Sequence, residues 1–404
     1  MARNERSLAL WEEARHIILG GVQQHKRNEE LIPYGFPIFM VRGKGSRVWD
    51  ADGNAYIDYL LAYGPMVLGY GHPAVDRAVQ RQMKEGAIFD LAHPLEIELA
   101  RKLIEVIPSA EMVSYFVGGS GATSAAVGLA RAHTGRDLIV RCGYHGWHDW
   151  CRAGEQDSPE TSGVPASIRA MTVAMEYNDL NSLADIFRKH PDEVAGVIME
   201  PVMGRGPKPG YLEGVRDLAH ENGAVFIMDE VKTGFRFALG GAQEYFGVTP
   251  DLTTLGKAMC NGYPGSALVG RREILEPLSE VWLAATFHGE LLSIAAALTT
   301  IEALRKPAGI PHIWRQGKKL MDGLSDLFNR MGVALRIVGY PPMPTLTFPK
   351  KEGSLAKLFI SEIAKRGVYF SFHPWFVSAA HSDKDMAQTL EAAEDALKAA
   401  KERI

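Results

Sequence analysis

The stretch "AVFIMDEV" (residues 224–231) decides how the rest of the chain is read. Five apolar residues run without alternation into two adjacent carboxylates, Asp229 and Glu230. A short continuous apolar run reads as a strand buried on both faces, as in a parallel sheet. Ligands of open α/β sheets lie beyond the carboxyl ends of their strands, so the acidic pair stands where a site is expected. Two desolvated charges need something positive to meet them; a solvated helix N-cap after the strand is the competing reading.

Outward from this run, short apolar segments alternate with helical stretches from about residue 95 to 305: "MVSYFV", "DLIVR", "VAGVIME", "DLTTLGK" and "SALVG". This alternation implies a mostly parallel sheet flanked by helices. Before it, "VWDADGNAYIDY" carries the hairpin turn Asp52-Gly53. After it come strand-like "PTLTF" and "GVYFSF" and a final helix opened by Ser382, with Asp385 three residues later, close to a capping box. The expected division is an N-terminal segment (1–60) and a C-terminal segment (306–404) forming a smaller α/β domain, around a large domain at 61–305.

Composition excludes several classes. A net charge of -4 over 404 residues offers no electrostatic footprint for nucleic acid or an acidic membrane, so a small-molecule partner is expected. Three cysteines make no disulfide framework and suit a reducing compartment. The N-terminus "MARNERSLALWEEARHIILGG" reads as an amphipathic helix and not as a signal peptide, and no apolar run is long enough to span a bilayer. A cytoplasmic location is expected.

Two further segments gather chemistry. In "PDLTTLGK" (250–257), Lys257 follows a strand directly. An amine at an apolar strand end has its charged form disfavoured and can act as a nucleophile; a snorkelling surface lysine is the alternative. In "SYFVGGSGAT", a strand, a glycine-rich loop and a helix follow one another. Gly118, Gly119 and Gly121 would let a phosphate approach the backbone amides of the helix N-terminus. The loop is a weak signal alone, and it matches neither the nucleotide P-loop nor the dinucleotide fingerprint. Together, a phosphate cradle, an imine-forming lysine and a carboxylate are the parts needed to hold pyridoxal phosphate.

Carried by "RGKGSRVWDADGNAYIDY", "GPMVLGYGHPAV", "YHGWHD", "GVIMEPVMG", "IMDEVKTGFR" and "GAQEYFGVTPDLTTLGKAM", the chain resembles the class III aminotransferases of the type I pyridoxal-phosphate fold. It looks most like their glutamate-1-semialdehyde aminomutase-like branch. The resemblance implies a large domain with a mostly parallel seven-stranded sheet and a smaller α/β domain built from both termini. It implies that Lys257 forms the Schiff base and that Asp229 meets the pyridine nitrogen. Tyr144 and Val231 would take opposite faces of the ring, and Glu200 would brace the site. The phosphate would rest on Gly119 and Ser120, with Thr286 reaching it from the second subunit of a homodimer that shares its active sites. Arg42 falls where relatives bind a substrate carboxylate, a task suited to a bidentate guanidinium, and His145 is expected beside Tyr144 on the substrate side.

The activity implied is transfer of an amino group from an amine or amino acid to a keto or aldehyde acceptor. A 2,1-aminomutase acting within one substrate is one alternative, and a non-catalytic phosphate-ligand-binding protein is another. Departures bear on substrate: Gly121 stands where the family carries an acidic residue, Gly289-Glu290-Leu291 replaces Gly-Asn-Pro, and the lid segment 153–165 is short. No arginine lies between Arg366 and Arg403, where "GVYFSFHPWFVSAAH" suggests an aromatic pocket wall, with plain core packing of a strand as the alternative. In "CGYHGWHDWC" (142–151), Cys142, His145, His148 and Cys151 are evenly spaced like zinc ligands. Gly143 and Gly146 make that stretch an irregular turn, so four ligands on one face, and hence a metal, are not expected.

Overall fold

The computed structural model describes residues 4–22, 39–152, 161–279, 281–372 and 374–404. The chain divides into two compact units, Met1–Pro73 with Pro307–Ile404, and Ala74–Lys306.

The first unit opens with the helix Glu5–Ile17, which buries Ser7, Trp11 and Ala14 along one stripe. Strands β1 (Met40–Lys44), β2 (Arg47–Asp50) and β3 (Ala55–Asp58) then form an antiparallel meander. The Asp50 carboxylate organises the turn between β2 and β3, accepting hydrogen bonds from the Asp52 and Asn54 amides, the Asn54 side chain and the Tyr56 hydroxyl. Gly53 completes the turn at a φ of +86°, in the left-handed region that favours glycine.

In the second unit, seven strands form one sheet among the described residues: β4 (Met112–Phe116), β5 (Leu138–Cys142), β6 (Thr172–Ala174), β7 (Val194–Met199), β8 (Val225–Asp229), β9 (Leu252–Leu255) and β10 (Ser266–Gly270). Their order is β4-β10-β9-β8-β7-β5-β6. Only β10 runs against its neighbours, so the sheet is mostly parallel.

Successive side chains of a strand point to opposite faces, and here both faces are covered. From β8, Val225 and Ile227 join a core with Ala122, Ala125, Ala126 and Leu129 of the helix Gly119–Thr134. Phe226 and Met228 join a second core with Leu183 and Ile186 of the helix Leu180–Lys189 and Val215 of the helix Tyr211–Glu221. Double burial is why "AVFIM" carries no polar alternation.

The rest of the first unit contains the hairpin β11 (Arg336–Tyr340) and β12 (Met343–Thr347), and β13 (Val368–Tyr369), which adds to β3 in parallel. The final helix, Asp383–Lys401, starts with a full capping box in which Ser382 and Asp385 each accept the other's backbone N–H. The aromatic run before it corrects the pocket-wall reading. Phe370 and Trp375 are fully buried and stacked at 3.8 Å, and Trp375 donates its indole N–H to the Ser371 carbonyl. They pack the core of this unit, leaving Phe372 exposed. Among the described residues no helix is long and apolar enough to cross a membrane.

Candidate active site

Strand alternation separates the acidic doublet into two roles. Glu230 turns away to cap a neighbouring segment, accepting hydrogen bonds from the Ala242 and Gln243 amides, the Gln243 side chain and Thr233 Oγ1. Asp229, at the end of β8, takes the opposite face. Its Oδ1 accepts the Val231 N–H at 3.0 Å and the Thr254 hydroxyl at 3.1 Å, and its Oδ2 lies 2.7 Å from His145 Nδ1. Burial favours the neutral acid, but the His145 hydrogen bond and charge, with the Val231 amide and Lys232, outweigh it and hold the carboxyl below its ordinary range. Asp229 is thus kept as a buried anion.

Lys257 follows β9, the strand beside β8. Burial is the main influence on its amine and lowers the pKa from 10.5 to about 8; Lys232 and Arg236 push the same way, while Glu200 and Asp229 oppose. Its backbone sits at a φ of +43°, the left-handed region that a residue with a side chain adopts only under constraint. The preceding Gly256 is extended. A strained, largely buried lysine beside an anion is a common signature of a functional position, and the snorkelling reading does not hold.

The loop "GGSG" opens the helix Gly119–Thr134, with Gly118 as N-cap and no side chain capping it. Among the described residues the Gly119 and Ser120 amides have no hydrogen-bond acceptor. Val231 joins this loop to the lysine: a Cβ at Gly119 would stand 3.0 Å from its methyls, and one at Gly256 would stand 3.5 Å from them.

The segment after β5 supplies the remaining wall. Tyr144 is exposed in the single chain, with its N–H donated to Glu200 Oε1 at 2.7 Å. The His145 carbonyl accepts from Thr123 Oγ1, and a Cβ at Gly146 would collide with Ser120 Oγ. The evenly spaced quartet scatters. Cys142 Sγ faces Met203, His145 faces Asp229, His148 meets Ser124 Oγ at 2.6 Å, and Cys151 Sγ points at the His148 carbonyl. The glycines at φ +110° and +114° turn the chain between them.

The second unit therefore brings together Gly119, Ser120, Tyr144, His145, Glu200, Asp229, Val231 and Lys257. The expectation that His145 faces a substrate is corrected: its ring is buried against Asp229, with Nε2 unpartnered among the described residues. Thr286 lies in an exposed turn of the same unit. Arg42 belongs to the first unit, exposed on β1 with its guanidinium 4.6 Å over the Trp49 ring. Of the short lid segment, residues 153–160 lie outside the described residues. Sequence reading missed Thr254, Thr123 and Lys232. The signal for Thr254 is present, because a threonine near the end of a buried strand needs a polar partner.

The donor set fits pyridoxal phosphate. Two free amides at a helix N-terminus suit its phosphate, a buried anion suits a protonated ring nitrogen, and a partly neutral amine suits its aldehyde. Relatives agree. The chain is 39% identical to the 3-aminobutyryl-CoA aminotransferase of Cloacimonas acidaminovorans over 99% of this chain and 98% of that protein. It is also 39% identical to the glutamate-1-semialdehyde 2,1-aminomutase of Persephonella marina, over 98% and 99%. The structure of the internal aldimine form of FumI from Sphingopyxis sp. MTA144 superposes with a TM-score of 0.93 at 32% identity, covering 98% of this chain and 97% of that one. The profile of the class-III aminotransferases matches residues 32–397, and the chain belongs to that family.

Proposed function

We propose that the protein is a pyridoxal-phosphate-dependent aminotransferase that moves an amino group from an amine or amino acid to a keto or aldehyde acceptor. The observation that carries this reading is the pairing of a largely buried lysine, lowered to about pKa 8, with the buried anion Asp229 at adjacent strand ends. The Gly119 and Ser120 amides would hold the phosphate and Asp229 the ring nitrogen. Tyr144 would lie on one face of the ring and Val231 on the other, with Glu200 bracing the wall. When bound, the cofactor supplies an electron sink for charge developing at the substrate's Cα. Lys257, partly neutral near pH 8, would hold the cofactor's aldehyde and, as a free amine, would move the proton at the substrate's Cα. His145 holds Asp229 as an anion, the form that would keep a ring nitrogen protonated.

The same reading makes the protein a cytoplasmic homodimer that shares its sites. Its three cysteines are free and buried, as a reducing compartment allows. Support for the dimer lies on the second unit, where Ile88, Phe89, Leu91, Ile97, Ile104, Trp282 and Phe287 are all exposed in the single chain. Exposed large apolar side chains are what a subunit interface would cover, and Thr286 beside Phe287 would reach the phosphate from the partner subunit. Ile97 and Ile104 are two turns apart on the helix Pro94–Val106 and so share a face. Replacing both by lysine is expected to shift sedimentation from twice the chain mass to the chain mass and to remove most activity. An unchanged mass would take this surface out of the interface.

Arg42 is proposed to receive a substrate carboxylate. Arg42→Ala should raise KM for carboxylate-bearing donors about tenfold or more, the scale of a charged hydrogen bond, and leave simple amines little changed. Equal effects on both would remove it from substrate binding. The reaction itself is tested by mixing the cofactor-loaded protein with a panel of α-amino acids, β-amino acids and amines and recording a single half-reaction. Amino transfer to the cofactor without a keto acid, followed by return only when one is added, is expected. Product from one substrate alone would favour the aminomutase alternative, and no cofactor binding would favour the phosphate-ligand-binding one.

A further inference from the structure

Lys232 has no place in the roles assigned above, yet it touches several of them. It lies in the turn after β8, three residues beyond Asp229, with its side chain 25% exposed against 4% for Glu200. Its ammonium pairs with Glu200 Oε2, and Glu200 Oε1 accepts the Tyr144 N–H at 2.7 Å. The carboxylate also packs against the preceding residue: a Cβ at Gly143 would stand 2.8 Å from Glu200 Cγ, at a φ of +110°. A buried carboxylate is costly unless a cation and further donors meet it. Lys232 is that cation, and the Tyr144 amide is a further donor.

We infer that Lys232 is a positioning residue: through its ion pair with Glu200 it fixes the Gly143–Tyr144 peptide. This rests on the roles proposed for Lys257 and Tyr144. Its two consequences differ in kind. Mechanically, Glu200 without Lys232 loses the partner that holds its rotamer, so the Tyr144 peptide loosens. Electrostatically, the charges of Lys232 and Arg236 favour the neutral form of Lys257, and those of Glu200 and Asp229 favour its charged form. Removing Lys232 subtracts a positive charge and leaves Glu200 unneutralised, two changes of one sign. Removing the Glu200 charge acts in the opposite sense.

That opposition of sign is the test. In the full chain freed of cofactor, with folding checked by circular dichroism, the Lys257 titration is read from the pH dependence of its labelling by trace acetic anhydride, resolved by peptide mass. Hydrogen exchange of the Tyr144 amide is measured on the same samples. Lys232→Met is expected to raise the Lys257 midpoint above the wild-type value and to speed Tyr144 exchange about tenfold, the scale of one charge-assisted hydrogen bond. Glu200→Gln is expected to lower the midpoint. Lys232→Arg, which keeps the charge, should restore both readouts. Midpoint shifts of the same sign in Lys232→Met and Glu200→Gln, or an unmoved Tyr144 exchange rate in Lys232→Met, would overturn the inference. Failure of the underlying site reading shows separately, as wild-type protein whose Lys257 does not retain the cofactor after borohydride.

Discussion

Replacing Lys257 by alanine is expected to lower kcat/KM by about 10⁴-fold or more, the upper end of what one positioned acid–base group contributes. The side chain is assigned both the covalent hold on the aldehyde and the proton at Cα, so neither function survives its loss. Its lowered pKa makes the two tasks feasible near neutrality. With a midpoint of about 8, half of the amine is neutral at pH 8, against roughly 0.3% for a lysine at its ordinary value. The rate at which cofactor-free protein captures pyridoxal phosphate should therefore rise with pH and level off above about 8. The same shift carries a stability signature. Between about 8 and 10.5 the unfolded chain binds more protons at this position than the folded one, so folding stability gained from this group rises with pH across that window. Below it, burying the charged amine is a cost. Lys257→Met in cofactor-free protein should accordingly unfold about 2 °C or more higher than wild type at pH 7, with the gap closing toward pH 10.5; scanning calorimetry at the two pH values checks it.

Asp229→Asn is the second large effect, a loss of about 10²–10³ in the single-turnover rate of amino transfer to the cofactor, as when one preorganised electrostatic group is removed. The amide keeps the volume and can still accept from Val231 N–H and Thr254 Oγ1, but it cannot remain an anion opposite the ring nitrogen. Loss should fall on that rate more than on cofactor retention, because the residues proposed to hold the phosphate and the aldehyde, Gly119, Ser120 and Lys257, are untouched. Acid stability follows the direction of the Asp229 shift. A carboxyl held below its ordinary value stabilises the fold above that value, and the contribution disappears as pH falls through the lowered one. Wild type should exceed Asp229→Asn in stability at neutral pH and lose that margin below about pH 4. A margin independent of pH would mean that the carboxyl is not held charged.

Much of the fold was legible because its central strands are buried on both faces. "DLIVR", "VAGVIME", "AVFIMDEV" and "SALVG" all form strands of one sheet, since an uninterrupted apolar run has few other places to go, and "DLTTLGK" joins them with its two threonines buried. The edge strand Thr172–Ala174 carried no such signal; it is three residues long and only partly covered. The aromatic run near residue 370 admits two readings for the complementary reason. Large rings suit a pocket wall and a core equally, and only the stacked, buried Phe370 and Trp375 decide for the core.

At the site, residue types in sequence identified which groups matter but not which way they face. Asp229 and Glu230 are adjacent and chemically alike, and strand alternation alone gives one to the site and the other to a structural cap. His145 and His148 are three apart and belong to different hydrogen-bond pairs, because Gly146 at a positive φ reverses the chain between them. Lys232 was invisible for the same reason: its partner Glu200 lies 32 positions earlier, at the end of another strand, and no local pattern links the two.

The central claim, that Lys257 is the lysine that carries the cofactor, is tested most directly by borohydride reduction of the pyridoxal-phosphate-loaded protein followed by peptide mapping. The account predicts a single stoichiometric pyridoxyl group on Lys257, with Lys232 unlabelled although it lies beside the same carboxylates. Stoichiometric label on Lys232 or on another lysine, or label that persists in Lys257→Ala together with turnover, would contradict it.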